Sequence, residues 1–336
     1  MPSLPKPRLR RSARARVDSA RLDQAAEPRV ESVEWGGLRW VNIERPGPAE
    51  RAWLEEHFEF HPLDYEDVLS RNQRPKIDEY DEYLFIVLYF PVFDKTVGRL
   101  NAAELDIFIG PDFIITLPNT PIPPVEYLFE RCRTHEEVRA NMFSKGSGYL
   151  LYKIVDDSFD YCFPMLRKIG NKLENLEEDI FEGRSEEVVR DISNSKQEII
   201  NFRKVIRPQR AVLRDLERTK QRYLAEDLEV YFDDIVDASE RIWDMLENFK
   251  EVIEALEDTN ESVLSHRVNE VLRVLTAFSV IILPLTLLAS IFGMNVGLPG
   301  GADPAGGATT SFWLIVGVMI AVLVGMAAYF RKRGFL

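Results

Sequence analysis

VLTAFSVIILPLTLLASIF, residues 274–292, is a run of nineteen residues without a charge, about the length needed to cross the hydrocarbon core of a bilayer. A second run of the same length, FWLIVGVMIAVLVGMAAYF, occupies residues 312–330. Between them GMNVGLPGGADPAGGATTS, residues 293–311, is too short and too rich in Gly and Pro to be other than a loop. The expected unit is a two-span transmembrane hairpin with both chain termini on one side. Arg267 and Arg273 precede the first span, Arg331, Lys332 and Arg333 follow the second, and the loop holds no basic residue. By the bias of basic residues toward the cytoplasmic side, both termini are cytoplasmic.

Upstream of the first span the apolar spacing stays helical. From Gly146 onward apolar residues recur every three or four positions with almost no Pro or Gly, and breaks are expected near Gly183 and Pro208. The last of these helices begins near Ala225, carries acids from Asp233 and Asp234 through Asp258 to Glu261, and runs without a breaker into the apolar run. More than sixty helical residues at about 1.5 Å each far exceed a bilayer, so this helix should project as a stalk. Residues 30–145 read as an α/β domain, with β-rich runs at Leu38–Ile43, Tyr83–Phe93, Leu105–Ile109 and Phe113–Leu117 and helices near 48–59, 63–70 and 124–141. The expected architecture is an α+β cytoplasmic domain with long stalk helices plus the two-span hairpin. Its segments are a disordered basic arm (1–29), the α/β domain (30–145), a long-helix stalk region (146–270), the first span (271–292), the outer loop (293–311), the second span (312–330) and a basic tail (331–336).

The net charge of −13 is unevenly spread. Residues 271–336 hold four basic side chains and one acid, so residues 1–270 carry −16. Such a surface attracts cations and disfavours nucleic acid, whose binding depends on neutralising phosphates. No enzyme site emerges: His57, His61, His135 and His266 are scattered, and SKGSG at 144–148 lacks the spacing of a phosphate loop. No organic cofactor is implied. Cys132 and Cys162 fit no disulfide framework or metal spacing and suit a reducing compartment.

Within the first span, steps of three or four residues from Asn269 reach Leu272, Leu275 or Thr276, Ser279, Leu283, Thr286 and Ser290. Polar residues are costly inside a bilayer and usually face protein or water. The stripe fits a water-facing wall and equally a helix–helix interface, which also favours Ser and Thr. Two spans cannot enclose a pore, so conduction would need a ring of subunits. Pro284 marks a kink or hinge, and the second span, without a polar stripe, suits a structural role.

Gly293-Met294-Asn295, directly after a span containing Leu283-Pro284-Leu285-Thr286, resembles the signature of the CorA family of magnesium transporters. Asn269-Glu270-Val271, Val274-Leu275-Thr276, the Arg331-Lys332-Arg333 end, FHPLDYEDVL at 60–69 and QRPKID at 73–78 extend the resemblance over residues 30–336. It implies a homopentameric funnel in the cell membrane that takes up Mg2+, with Co2+ or Ni2+ as possible passengers. It further implies a selectivity filter of Gly293, Met294 and Asn295, and a pore lined by Asn269, Leu272, Leu275, Leu283 and Thr286. Mg2+ gives up its waters reluctantly, so neutral amide and carbonyl oxygens can select the hydrated ion. Regulatory Mg2+ sites between subunits are implied as well, with Asp258 and Asp81 as one pair and Asp234 with Asp156 or Asp157 as a second. Phe292 stands where many members have Tyr, and Asp303 is the loop's one acid. A zinc-carrying branch, and a non-conducting membrane-anchored sensor, are the competing expectations. The absence of Cys and His from 269–295 favours a hard ion.

Overall fold

The computed structural model describes residues 27–70, 73–94, 99–182, 185–219, 228–293 and 309–334. The basic arm before residue 27 therefore lies outside the described residues. In chain order the elements are β1 (Glu31–Trp35), β2 (Leu38–Asn42), α1 (Pro48–His57), α2 (Pro62–Leu69), β3 (Lys76–Glu79), β4 (Leu84–Asp94), β5 (Arg99–Ile109) and β6 (Phe113–Pro118). They continue with α3 (Pro123–Thr134), α4 (Glu136–Phe143), α5 (Ser147–Asp160), α6 (Cys162–Glu182), α7 (Ser185–Arg218), α8 (Glu229–Phe292) and α9 (Thr309–Lys332). The chain divides into two compact units, one of Met1–Glu178 with Glu187–Ala255, the other of Asp179–Glu186 with Leu256–Leu336.

The first unit holds a six-stranded mixed sheet in the order β1-β2-β6-β5-β4-β3. Only the β2–β6 pairing is parallel, and β4 and β5 pair along their whole length from Leu84↔Ile109 to Asp94↔Arg99. Alternation along the strands builds two different faces. On one, Phe85, Val87, Phe108, Ile115 and Leu117 form a core with Leu54 of α1 and Tyr65 and Val68 of α2. Phe60 stacks on Phe108 with ring centroids 4.2 Å apart, and burying each such ring contributes about 1.5–3 kcal/mol. On the other face, Trp40 meets Phe129 of α3 edge-on at 5.0 Å, Phe90 meets Phe159 of α5, and the Trp40 indole donates to Thr116 Oγ1 at 3.0 Å. Cys132 and Cys162 are both free and buried.

Three differences from the sequence expectations stand out. The helix expected over 124–141 is two helices, because His135 leaves the helical region at φ −118°, ψ 109°. Edge strands β1 and β3 were not anticipated, and β5 begins at Arg99 instead of Leu105. The expected break at Pro208 does not occur, since α7 runs through it from Ser185 to Arg218. A proline removes one helical hydrogen bond and crowds the preceding turn, but α7 is held on both sides by packing and ion pairs. Phe202 and Ile206 before the proline and Leu213 and Leu216 after it are buried. Arg203 donates to Glu247 of α8 at 2.6 Å, while Arg210 and Arg214 share Glu240. The guanidinium groups of Arg203 and Arg210 also lie 4.9 and 5.2 Å from the Trp243 ring.

Helix α8 is 64 residues long and continuous, roughly 95 Å at the standard rise. Its acid-rich beginning belongs to the first unit and its apolar end to the second. Trp313–Lys332 of α9 forms the other apolar helix long enough to cross a membrane.

Candidate functional site

The apolar half of α8 has one covered side. Ala277 and Ile281 are buried, and Val274, Pro284, Leu285 and Leu288 are half-buried. Asn269, Leu272, Leu275, Thr276, Ser279, Leu283, Thr286 and Ser290 are all exposed. At 3.6 residues per turn they fall within an arc of about 120°, nearly opposite the covered side. The hydroxyls on this stripe are not idle: Thr276 donates to the Leu272 carbonyl at 2.7 Å, Ser279 to Leu275 at 2.9 Å and Thr286 to Ile282 at 3.0 Å. Each donor is spent on the helix four residues back, which makes the hydroxyl tolerable in apolar surroundings and leaves its oxygen as an acceptor. Pro284 sits inside the helix without ending it. At the end of α8 the Gly293 N–H closes the last turn on the Ala289 carbonyl at 2.9 Å. Met294, Asn295 and Asp303 lie outside the described residues.

Of the expected regulatory acids, Asp258 is exposed on α8 in the second unit, in an open depression with Glu261, Ser262, Ser265 and His266. Asp81 is exposed in the bend between β3 and β4, in the first unit. The other three acids meet within the first unit. Lys153 on α5 donates to Asp156 at 2.9 Å and to Asp157 at 2.7 Å. Burial works against its ammonium, but the bonds to the two aspartates outweigh burial and its pKa rises. Asp234 of α8 adds its field at the same place. Burial together with Asp156, and more weakly Asp234, pushes Tyr152 up to about 12, and burial, Asp156, Asp157 and Asp234 raise Asp160. The structure thus brings Asp156, Asp157, Asp160 and Asp234 into one electrostatic neighbourhood in which Lys153 is bonded to the first two, and a metal held by Asp156 or Asp157 would compete with Lys153. Lys153 and Asp160 were not anticipated from the sequence, though their i, i+3 and i, i+4 spacing to the named aspartates was visible in it.

A second acidic group was missed altogether. One carboxylate oxygen each from Asp64, Asp67 and Asp78 lie within 4.8 Å of one another. Asp64 accepts from Tyr83 at 2.7 Å and Tyr80 at 3.1 Å, while Lys76 donates to Asp67 at 2.7 Å and to Asp78. Lys76 supplies the positive charge that a metal would otherwise bring. These residues fall in the two sequence stretches 60–69 and 73–78 quoted above, where they serve the fold by tying α2 to β3.

Similarity to known proteins agrees with this architecture. The family described as CorA-like Mg2+ transporter protein matches residues 35–332. The chain is 31% identical over 300 residues to the cobalt/magnesium transport protein CorA of Thermotoga maritima, covering 88% of this chain and 83% of that one. It is 21% identical over 298 residues to the zinc transport protein ZntB of Yersinia pseudotuberculosis, covering 88% and 86%. The complete structure of the CorA magnesium transporter from Methanocaldococcus jannaschii superposes with a TM-score of 0.78 at 22% identity, over 92% of this chain and 95% of that one. On the family match and the Thermotoga likeness together, this chain belongs to the CorA-like Mg2+ transporter family of divalent-cation transporters.

Proposed function

We propose that the chain forms a homopentameric channel that takes Mg2+ into the cell, with both termini cytoplasmic and the exposed polar stripe of α8 lining the pore. The observation that carries this reading is the stripe itself, from Asn269 to Ser290 on one exposed side of a continuous helix. A passive membrane anchor has no use for it. The chemistry suits a hydrated cation: its waters point their hydrogens outward, and Thr286 and its neighbours offer oxygens whose own protons are already spent on the helix. Leu272, Leu275 and Leu283 between them make apolar rings that can empty of water and close the path. Asn295, with Gly293 and Met294, is proposed as the outer filter, receiving the ion with its shell on.

Gating is assigned to cytoplasmic Mg2+ at Asp258 with Asp81, and more weakly at Asp234 with Asp156 or Asp157. Bound Mg2+ favours the closed arrangement, and its loss releases it. Co2+ and Ni2+ are secondary cargoes. The zinc alternative draws on the likeness to ZntB.

The test is ion uptake into proteoliposomes carrying an internal indicator, wild type against Asn295→Ala, with Mg2+ and Zn2+ in turn. Mg2+ entry lost in the variant and suppressed by Mg2+ on the cytoplasmic face is the expected result. Zn2+ flux without Mg2+ flux transfers the chain to the zinc reading, and no flux from an intact oligomer favours the sensor.

A further inference from the structure

The sheet face that carries the aromatic core changes character along β5. Phe108 belongs to that core. The next two side chains on the same face, Asp106 and Glu104, are carboxylates, and each is only 3% exposed. They lie against a cavity of about 930 Å3, walled by Val68, Leu69 and Ser70 at the end of α2, by Val92 and Asp94 of β4 and by Asn119 beyond β6. Asn119 Oδ1 accepts from the Glu104 N–H at 3.0 Å, and the Tyr89 hydroxyl stands 2.6 Å from both Glu104 Oε2 and the Gln73 carbonyl, with one proton for the two. Asp106 Oδ1 is buried and has no hydrogen-bond partner among the described residues.

A buried carboxylate without a partner is among the most expensive groups a fold can carry. Asp106 is in this position, the Tyr89-bonded carboxylate of Glu104 lies two residues along the same face, and burial with the neighbouring Glu104 raises Asp106 well above the usual carboxylate range. Lys76 is near enough to oppose this weakly, but it is already held by Asp67 and Asp78. Among the described residues, one basic side chain, Arg45, and three acids, Asp94, Glu104 and Asp106, line the cavity. The described lining contains no Cys or His, so its donors are carboxylate, amide and hydroxyl oxygens, which suit a hard cation. The volume is far larger than a bare ion and accommodates one with several of its waters.

We propose that this cavity binds a hydrated divalent cation between Asp106 and Glu104, at a site separate from the pore stripe and from the Asp258, Asp81 and Asp234 groups. The probe is Mn2+ on the full-length, EDTA-stripped protein in detergent, with free ion counted by electron paramagnetic resonance. The loss of one bound Mn2+ per chain is expected in both Asp106→Asn and Glu104→Gln, with the remaining sites unchanged. A second measurement needs no variant: hydrogen exchange of the amides of residues 101–106 in the wild type should slow when Mg2+ is added. Equal Mn2+ counts in wild type and both folded variants would overturn the proposal. So would exchange at 101–106 that is indifferent to Mg2+, which would leave a proton as the group's only companion, or protection given by spermidine and not by Mg2+, which would mark an amine site.

Discussion

Lys76 shows how one side chain decides the state of several. It is 29% exposed and bridges Asp67 and Asp78, with Asp64 beside them. Burial raises Asp64, and the hydrogen bonds from Tyr83 and Tyr80 hold that rise in check. Lys76→Met removes the sole cation bonded to the trio among the described residues and leaves the acids facing one another. Breaking a fully buried pair costs 3–5 kcal/mol; with this much exposure the expected loss is about 2 kcal/mol, read from urea unfolding, and millimolar Mg2+ should recover part of it. An unchanged urea midpoint would show the trio to be indifferent to its lysine. Glu240 gives the opposite case. Although burial raises it, hydrogen bonds from Arg214 and Arg210 outweigh burial and lower its pKa. A depressed carboxylate stabilises the fold above its unfolded pKa of 4.5 and loses that contribution as pH falls through the lower folded value. Glu240→Gln should therefore be less stable than wild type at pH 7, with the gap narrowing below about pH 4.5. A gap that stays constant from pH 7 to pH 3 in denaturant titrations would remove the carboxylate from the account.

Elements were legible where one pattern ran long. Helix α8 could be read almost to its ends because its apolar spacing never lapses and its last nineteen residues, 274–292, are uncharged. Strand β3 was hidden because KIDE has no apolar alternation: it is an edge strand with one neighbour, and backbone pairing to β4 holds it in place of side-chain burial. Strand β1 had a usable signal. Gly36 and Gly37 both take positive φ, 57° and 88°, and make the two-residue turn of a hairpin that pairs Trp35 with Leu38. Among the site residues, the stripe from Asn269 was visible as periodicity, whereas Glu104 and Asp106 were not singled out, since the apolar run marks the strand only from Leu105 and β5 runs from Arg99. Pro208 misled for a physical reason: its local preference is real and is overridden by contacts distant in sequence. Pro208→Ala should restore a helical hydrogen bond to the Lys204 carbonyl and raise stability by about 1–3 kcal/mol, since proline in a helix interior costs about 3. A lower melting temperature in Pro208→Ala would mean that a bend at this point is part of the packing of α7 on α8.

At the scale of the whole molecule, α8 and α9 each carry an exposed apolar length sufficient to cross a membrane. In the proposed pentamer every regulatory acid is present five times, and this sets how strongly a single substitution acts. A site occupied at ten times its dissociation constant, in a state that the open form does not share, adds about 1.4 kcal/mol to the closed form. Five equivalent sites then add about 7 kcal/mol, enough to shift a two-state equilibrium from almost fully open to almost fully closed. Asp258→Ala removes one ligand from all five at once, so its effect should be a collapse of the Mg2+ response instead of a fifth of it. Asp258 is exposed on its helix, so the change should leave the fold intact. The expected outcome is that Mg2+ no longer slows limited proteolysis of the variant and that uptake into proteoliposomes persists when the cytoplasmic face is rich in Mg2+. Proteolytic protection equal to wild type would remove Asp258 from the sensor and turn attention to the other acidic groups, those beside Lys153 first.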